Sequence, residues 1–237
     1  MTDPFEEIAA YHDDLYVKPE RYQREALSAN WSRRTSSAPD MTCSTSPAAP
    51  AATSPTGGIA TVSAGLDVSP AMLALAASNF PDVEFHLADM LDFNLGQDFD
   101  ALMCLYGSIG FVGTPQNLDK TLVAFAKHLK PGSILCLTPW STREEFAPTI
   151  VTDLVRRPHI QILRMENVKL KEPGLVEVDF HHLVARDGQV SYHRQSIEIG
   201  LFSLQQYRNA IDRTRLELVE HRHGGGTRMG VFAARRP

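Results

Sequence analysis

Gly65-Leu-Asp-Val-Ser-Pro-Ala-Met-Leu73 is the stretch that decides the fold. Its first half is a short apolar run ending in an acid, which suits a buried strand. Its second half opens with a serine at the N-cap and proline at the first helical position, and the spacing predicts a helix to about Asn79. Downstream, Val83-Glu-Phe-His-Leu-Ala88 alternates like a strand, and Phe99-Asp-Ala-Leu-Met-Cys-Leu-Tyr106 is dense enough for a sheet centre. Leu118, Leu122, Phe125 and Leu129 recur at three- and four-residue steps over residues 116 to 129, an amphipathic helix closed by Lys130-Pro-Gly132 before the strand Ser133-Ile-Leu-Cys-Leu-Thr138. Strands alternating with helices in this order imply a doubly wound parallel α/β sheet.

Beyond Trp140 the period changes. Residues 159 to 171, 175 to 186 and 189 to 202 read as three longer strands, the last two joined by a hairpin turn at Arg186-Asp-Gly188, so 159 to 202 is expected to be an antiparallel β cap inserted into the sheet domain. Ser203 to Arg215 then reads as a helix, and Leu216 to Glu220 with Arg228 to Ala234 as two antiparallel edge strands. The core is thus assigned to 65 to 158 and 203 to 237. Residues 1 to 27 carry Phe5, Tyr11, Tyr16 and Tyr22 among charges, with Pro19 as a breaker, and are read as lid helices. Residues 28 to 64 are rich in Ser, Thr, Ala and Pro, with no helical or strand period, and read as a disordered segment.

Composition limits the partners. A formal charge of -5 over 237 residues offers no footprint for a polyanion, so nucleic acid is not expected. Three widely spaced cysteines, Cys43, Cys104 and Cys136, fit neither a zinc site nor a disulfide framework, and a reducing, cytoplasmic setting is expected. An acidic start and the lack of a long apolar run argue against a signal peptide or membrane span. His181, His182 and His193 do not form a metal site, because alternate strand residues point to opposite faces; they are read as surface or substrate-contact groups. Asp92, Glu144 and Glu145 are read as solvated. Exposed cap strands leave room for a homodimer.

Several motifs resemble the class I (Rossmann-like) S-adenosylmethionine-dependent methyltransferases. Gly65-Leu-Asp-Val-Ser69 resembles their second-strand motif, which implies that Asp67 binds the cofactor's ribose hydroxyls. Ala88-Asp-Met-Leu-Asp-Phe93 resembles the third-strand motif, which implies an adenine site at Asp89 and Met90. Cys104-Leu-Tyr-Gly-Ser-Ile-Gly110 resembles the fourth-strand motif, facing the methionine end of the cofactor. Met72 and Leu105 join the implied cofactor set. Tyr22 with Arg24-Glu-Ala26, Gly-Ser-Ile-Gly at 107 to 110, Pro139-Trp140, Gly200-Leu-Phe-Ser-Leu-Gln-Gln-Tyr207 and Arg228-Met-Gly-Val-Phe232 are most similar to the enzymes that N-methylate or N,N-dimethylate nucleotide-linked amino sugars in macrolide and anthracycline biosynthesis. That resemblance implies a dTDP-amino-deoxyhexose substrate, with Tyr22 at the cofactor's methionine part and Ser108, Trp140 and Arg228 at the substrate. Tyr11, Tyr106 and Phe111 would steer the amine; some relatives carry histidine where Phe111 stands, which puts a histidine relay in doubt. Alternatives are a methyltransferase for another small molecule, or a non-catalytic relative unable to bind the cofactor.

The family's first strand and glycine-rich loop should precede Gly65, and no glycine occurs there before Gly57. Written in GC-rich codons and regrouped from the third base, Cys43 to Pro55 permits Leu-Asp-Val-Ala-Cys-Gly-Thr-Gly-Gly-His-Leu-Ala, which is the missing motif. Residues 28 to 64 are therefore read as a frame-shifted stretch between two compensating single-base changes, with a natural low-complexity insertion as the alternative. On either reading, the sheet is expected to lack its first strand.

Overall fold

The computed structural model describes residues 9, 11, 12, 15, 64 to 223 and 230 to 237 in full, and the backbone of 40 to 44 and 61 to 62. The principal sheet contains β1 (Asp40–Ser44), β2 (Thr61–Val62), β5 (Phe99–Cys104), β6 (Leu129–Leu137), β11 (Glu217–Arg222) and β12 (Val231–Arg235), in the order β11-β12-β6-β5-β1-β2. One residue past β2, β3 (Ala64–Asp67) pairs in parallel with β4 (Glu84–Leu87). β1 is parallel to both β2 and β5, and β5 to β6, while β12 runs antiparallel to β6 and β11. The chain leaves β1 toward β2, β3 and β4 on one side and returns to β5 on the other. The strand order therefore reverses between β1 and β5, the position at which sheets of this kind bind their ligands, at the carboxyl ends of the strands.

Where the residue pattern showed no sign of a first strand, the backbone of Asp40–Ser44 runs beside β5, with Met41 opposite Ala101 and Ser44 opposite Met103. A parallel ladder needs only backbone donors and acceptors, which every non-proline residue carries, so the side-chain pattern of the segment did not reveal it.

Core packing follows the two periods read from the sequence. Leu102 and Cys104 on β5 face Leu135 and Leu137 on β6, with Leu118, Leu122 and Phe125 of α2 (Pro115–Lys127) and Tyr207, Ala210 and Ile211 of α3 (Leu204–Arg213) over them. The alternate residues Ala101, Met103, Ile134, Cys136, Val231 and Ala233 form a separate buried cluster. Burial pushes the Cys136 thiol up to about 12, so it packs as a small apolar group rather than as a nucleophile. The helix starts are set locally: Ser69 Oγ accepts from Met72 N at 3.1 Å at the head of α1 (Pro70–Asn79), and Ser203 with Gln206 forms a capping box on α3.

The cap is a second sheet, in the order β10-β9-β8-β7. Three of its strands, β8 (Ile160–Glu172), β9 (Leu175–Arg186) and β10 (Gln189–Gly200), lie where expected; β7 (Thr149–Arg157) is an additional edge strand before them. Ile150, Val151 and Leu154 are all exposed there, so no alternation marked the strand in the sequence. The cap rests on the core through close backbone approaches. A Cβ on Gly200 would lie 2.6 Å from Phe202 Cζ and 2.9 Å from Gly113 O, and one on Gly110 would collide with Ile199. Val168, Val176, Val178 and Leu201 are buried together, with Trp140 and Phe146 packed against them.

His182 departs from the reading of the cap histidines as surface or contact groups. It is completely buried, stands in register with Arg164 on one side and His193 on the other, and neither ring nitrogen has a partner among the described residues. Desolvation, then the Arg164 charge, pulls its pKa down from 6.5 to about 4.

Two predictions follow from this packing. Gly200→Ala forces backbone and ring apart and is expected to cost about 1 to 3 kcal/mol; a thermal melt should show a drop of several degrees. His182 is neutral in the fold but protonates below pH 6.5 once unfolded, so its contribution is complete above 6.5 and is lost as pH falls toward 4, up to about 3 kcal/mol. His182→Leu should therefore narrow the difference in melting temperature between pH 7 and pH 5, measured by circular dichroism.

Candidate functional site

Two carboxylates stand at the carboxyl ends of adjacent strands. Asp67 is the last residue of β3; its Oδ1 accepts from Ser69 N at 2.8 Å, and its carbonyl accepts from Ala88 N at 3.0 Å. The first bond fixes the carboxylate at the tip, and the second ties the end of β3 to the end of β4. Asp89 follows β4, exposed, with Oδ1 accepting from Leu91 N at 2.9 Å. Met90 is half-buried and packs against the main core, and Met72 is buried in the first turn of α1, where its amide caps on Ser69. The pair of acids beside a backbone turn suits a polyol next to an amino-bearing ring, and a carboxylate oriented in advance by a backbone amide loses little freedom on binding.

Between these tips and β6 the chain makes a strained reversal. Leu105 is half-buried against the second cluster. Tyr106 has φ 55 and Gly107 φ 79, so two consecutive residues are left-handed, and tyrosine there is held only by its surroundings. Thr138, just past β6, supplies that hold: Tyr106 N donates to its Oγ1 at 2.8 Å, and Gly107 N to its carbonyl at 2.8 Å. A Cβ on Gly107 would sit 2.5 Å from that of Trp140, so glycine is needed for space as well as for its φ. The turn delivers a 3-10 helix, Ser108–Val112, with Ser108 buried and Phe111 45% exposed at its surface. Tyr106, Ser108, Phe111 and Trp140 are thus gathered at one end of the sheet. Thr138 was not singled out in the sequence, where a threonine closing a strand carries no signal of its own.

Tyr11, expected to help steer the amine, lies under the cap. It is buried against the cap's inner face with Leu15, Val155, Ile160, Ile162 and Val184, its ring edge-on to His182 at 5.7 Å and 5.8 Å from that of His193. An aromatic ring over an apolar sheet row is favoured by the area that it buries. Tyr22 and Arg228 lie outside the described residues. On the flank leading to Arg228, His221 stacks on Phe232 at 4.4 Å, and His223 reaches Glu145 at 3.2 Å. Burial, then the neighbouring His223, lowers the His221 pKa. Glu145 and Glu144 are exposed as expected, yet both are engaged: Glu145 accepts from Thr142 Oγ1, and Glu144 from Leu204 N.

Known proteins match this architecture. Residues 40 to 132 match the family model of a methyltransferase domain. The chain is 33% identical over 171 residues to the dTDP-3-amino-3,4,6-trideoxy-alpha-D-glucopyranose N,N-dimethyltransferase of Streptomyces venezuelae, covering 71% of each chain. It is 34% identical over 170 residues to the dTDP-3-amino-3,6-dideoxy-alpha-D-glucopyranose N,N-dimethyltransferase of Streptomyces fradiae, covering 71% of this chain and 66% of that one. Among solved structures it resembles CalS10, an amino pentose methyltransferase of Micromonospora echinaspora involved in calicheamicin biosynthesis and solved with S-adenosylmethionine bound. The TM-score is 0.80 and the identity 27%, over 96% of this chain and 95% of that one. With a sheet that reverses between β1 and β5, ends in an antiparallel pair and carries an inserted antiparallel cap, the chain belongs to the class I S-adenosylmethionine-dependent methyltransferases, in the family of the nucleotide-linked amino-sugar N,N-dimethyltransferases.

Proposed function

We propose that this chain N-methylates an amino sugar carried on thymidine diphosphate, with S-adenosylmethionine as methyl donor, in antibiotic biosynthesis. The observation that carries the reading is the strained turn at Tyr106 and Gly107. It stands at the switch point of a sheet whose relatives are named for this reaction. The setting proposed for it is the cytoplasm, and exposed cap strands suit a homodimer.

The described residues suit the ribose and adenine ends of the cofactor, while the glycine-rich loop is not encoded by the chain as it stands. Asp67 would take the ribose hydroxyls, Asp89 and the backbone at Met90 the adenine, Leu105 and Tyr22 the methionine part, while Met72 supports the Ser69 turn beneath them. When bound, S-adenosylmethionine supplies a methyl group already activated on sulfonium. The chain's part is orientation: a neutral amine must meet that methyl in line, and holding two reactants so is worth about 7 to 11 kcal/mol. Tyr106 and Phe111 would wall the amine's approach, with Ser108, Trp140 and Arg228 holding the sugar nucleotide. Tyr11, fixed under the cap, would line the far wall. Phe111 has no titratable group, so no proton passes through that position, and the amine's proton leaves to solvent.

Residues 28 to 64 we read as translated out of frame between two compensating single-base changes. Sequencing the gene across codons 25 to 67 should find the reading that encodes the glycine-rich loop; error-free DNA encoding the stretch as it stands would reject this.

The reaction is tested by offering dTDP-3-amino-3,6-dideoxyglucose and S-adenosylmethionine, with mass spectrometry of the products. Methylation at nitrogen is expected, whereas methylation of polyketide hydroxyls alone would overturn the assignment. Phe111→Ala should lower kcat/KM for the amino sugar about 10-fold and leave cofactor affinity unchanged, as expected for a group acting on orientation. Asp67→Asn keeps an acceptor for Ser69 N but loses the charge. Calorimetry should show cofactor binding weakened about 10- to 100-fold, the worth of a charge-assisted hydrogen bond.

A further inference from the structure

His128 stands between α2 and β6 and is buried. Its Nδ1 lies 2.9 Å from the carbonyl of Ala124, one turn back in the helix. A carbonyl can only accept, so the proton is on Nδ1 and Nε2 keeps its lone pair. That lone pair accepts from Leu95 N at 3.2 Å. One face of the ring carries Phe93, stacked at 4.4 Å and 18°, and the His128 carbonyl accepts from Phe99 N at 2.7 Å. A single neutral histidine thus receives the segment between β4 and β5 at three points.

That segment begins with Asp89 and Met90. Within it the bonds are local: Asp89 Oδ1 accepts from Leu91 N, the Asp89 carbonyl from Asp92 N at 3.1 Å, and Asn94 Oδ1 from Gly96 N at 2.9 Å. Bonds of this kind set the shape of a turn but not its place, because donor and acceptor move together. Place is set by ties to other elements. Ala88 N donates to the Asp67 carbonyl at the start of the segment, and Phe93 and Leu95 meet His128 further on. Phe93 comes only four positions after Asp89 and belongs to the main core, edge-on to Phe125 at 6.0 Å. The turn that carries Asp89 is therefore held between two fixed points.

We propose that His128 is a positioning residue for the cofactor's adenine end, acting through Phe93 and Leu95 on the place of Asp89 and the Met90 backbone. The inference rests on the reading of those two residues as the adenine site. A loop that must be ordered when its ligand arrives lowers the affinity, and a loop ordered beforehand does not. His128→Leu keeps much of the packing volume but removes the acceptor. His128→Gln keeps a donor for the Ala124 carbonyl and an acceptor for Leu95 N.

Calorimetry on the full chain tests this, with S-adenosylmethionine and, separately, methylthioadenosine, which carries the same adenine and ribose without the amino acid. His128→Leu should weaken both by the same factor, about 10-fold, the worth of one anchoring hydrogen bond, and His128→Gln should return to within about 3-fold of the wild type. In the protein without ligand, the Leu95 amide should exchange with solvent faster in His128→Leu and close to the wild-type rate in His128→Gln. At saturating cofactor, kcat and the KM for the amino-sugar nucleotide should be unchanged in both. Wild-type affinity for the two adenine ligands in a folded His128→Leu would overturn the proposal and leave the methyltransferase reading standing. Equal loss of cofactor and sugar-nucleotide affinity in both variants would overturn it too, by making the role one of general stability. A wild type that binds neither adenine ligand would reject the adenine site itself, and the proposed function with it. Should His128→Leu not fold, Phe93→Leu removes the stacked ring while keeping the bond; a weakening of about 3-fold is expected, and none would overturn the proposal.

Discussion

Thr138 holds the turn on which the candidate site is built. Its hydroxyl and its carbonyl accept from Tyr106 and Gly107, the two residues that the chain drives into left-handed conformation at the end of β5. Released from Thr138, the turn would relax toward the ordinary strand region, and the 3-10 helix that carries Ser108 and Phe111 would swing away from Trp140. Gly107 works from the opposite side, since its missing side chain lets Trp140 close down on the turn. Hydrogen bonds thus fix the direction of the loop, and the tight approach fixes its depth. Both partners, Thr138 and Trp140, follow β6, so the site is a joint between two adjacent parallel strands.

The same device recurs where the cap meets the core. Gly110 admits the Ile199 side chain, and Gly200 admits the backbone of Gly113, so β10 is pressed closely onto the 3-10 helix. A contact this close leaves little room for sliding, because interiors are packed like crystals and respond to the addition of one methyl group. The cap is therefore set against the turn at Tyr106 by the chain itself.

Much of this was legible in the sequence where the cause was local. Ser69 followed by proline announced α1, Leu118, Leu122 and Phe125 announced α2, and Arg186-Asp-Gly188 announced the last cap hairpin, since caps, helical spacing and turn residues act within a few positions. Asp67 and Asp89 were legible as strand-end acids. β1 was not, because parallel pairing depends on the backbone of distant strands, and β7 was not, because an edge strand with apolar residues on both faces has no period. Burial of His182 also escaped: a histidine in an alternating run gives no sign that an N-terminal tyrosine will cover it. Tyr11 escaped for the converse reason, its partners being some 170 residues away in the chain.

The cap has a further role in time. Its four strands follow one another in the chain and pair with their neighbours, so every ladder closes across a short turn. The core's last pairing is of another kind: Phe232 must find Leu137 across the whole inserted segment. Loop-closure entropy makes the first event fast and the second slow. Once formed, however, the cap draws the two ends of its own segment together, where Arg143 N donates to the carbonyl of Phe202 at 3.0 Å. A long search thereby becomes a short one, and the inserted sheet acts as the splint on which the final edge of the core is set.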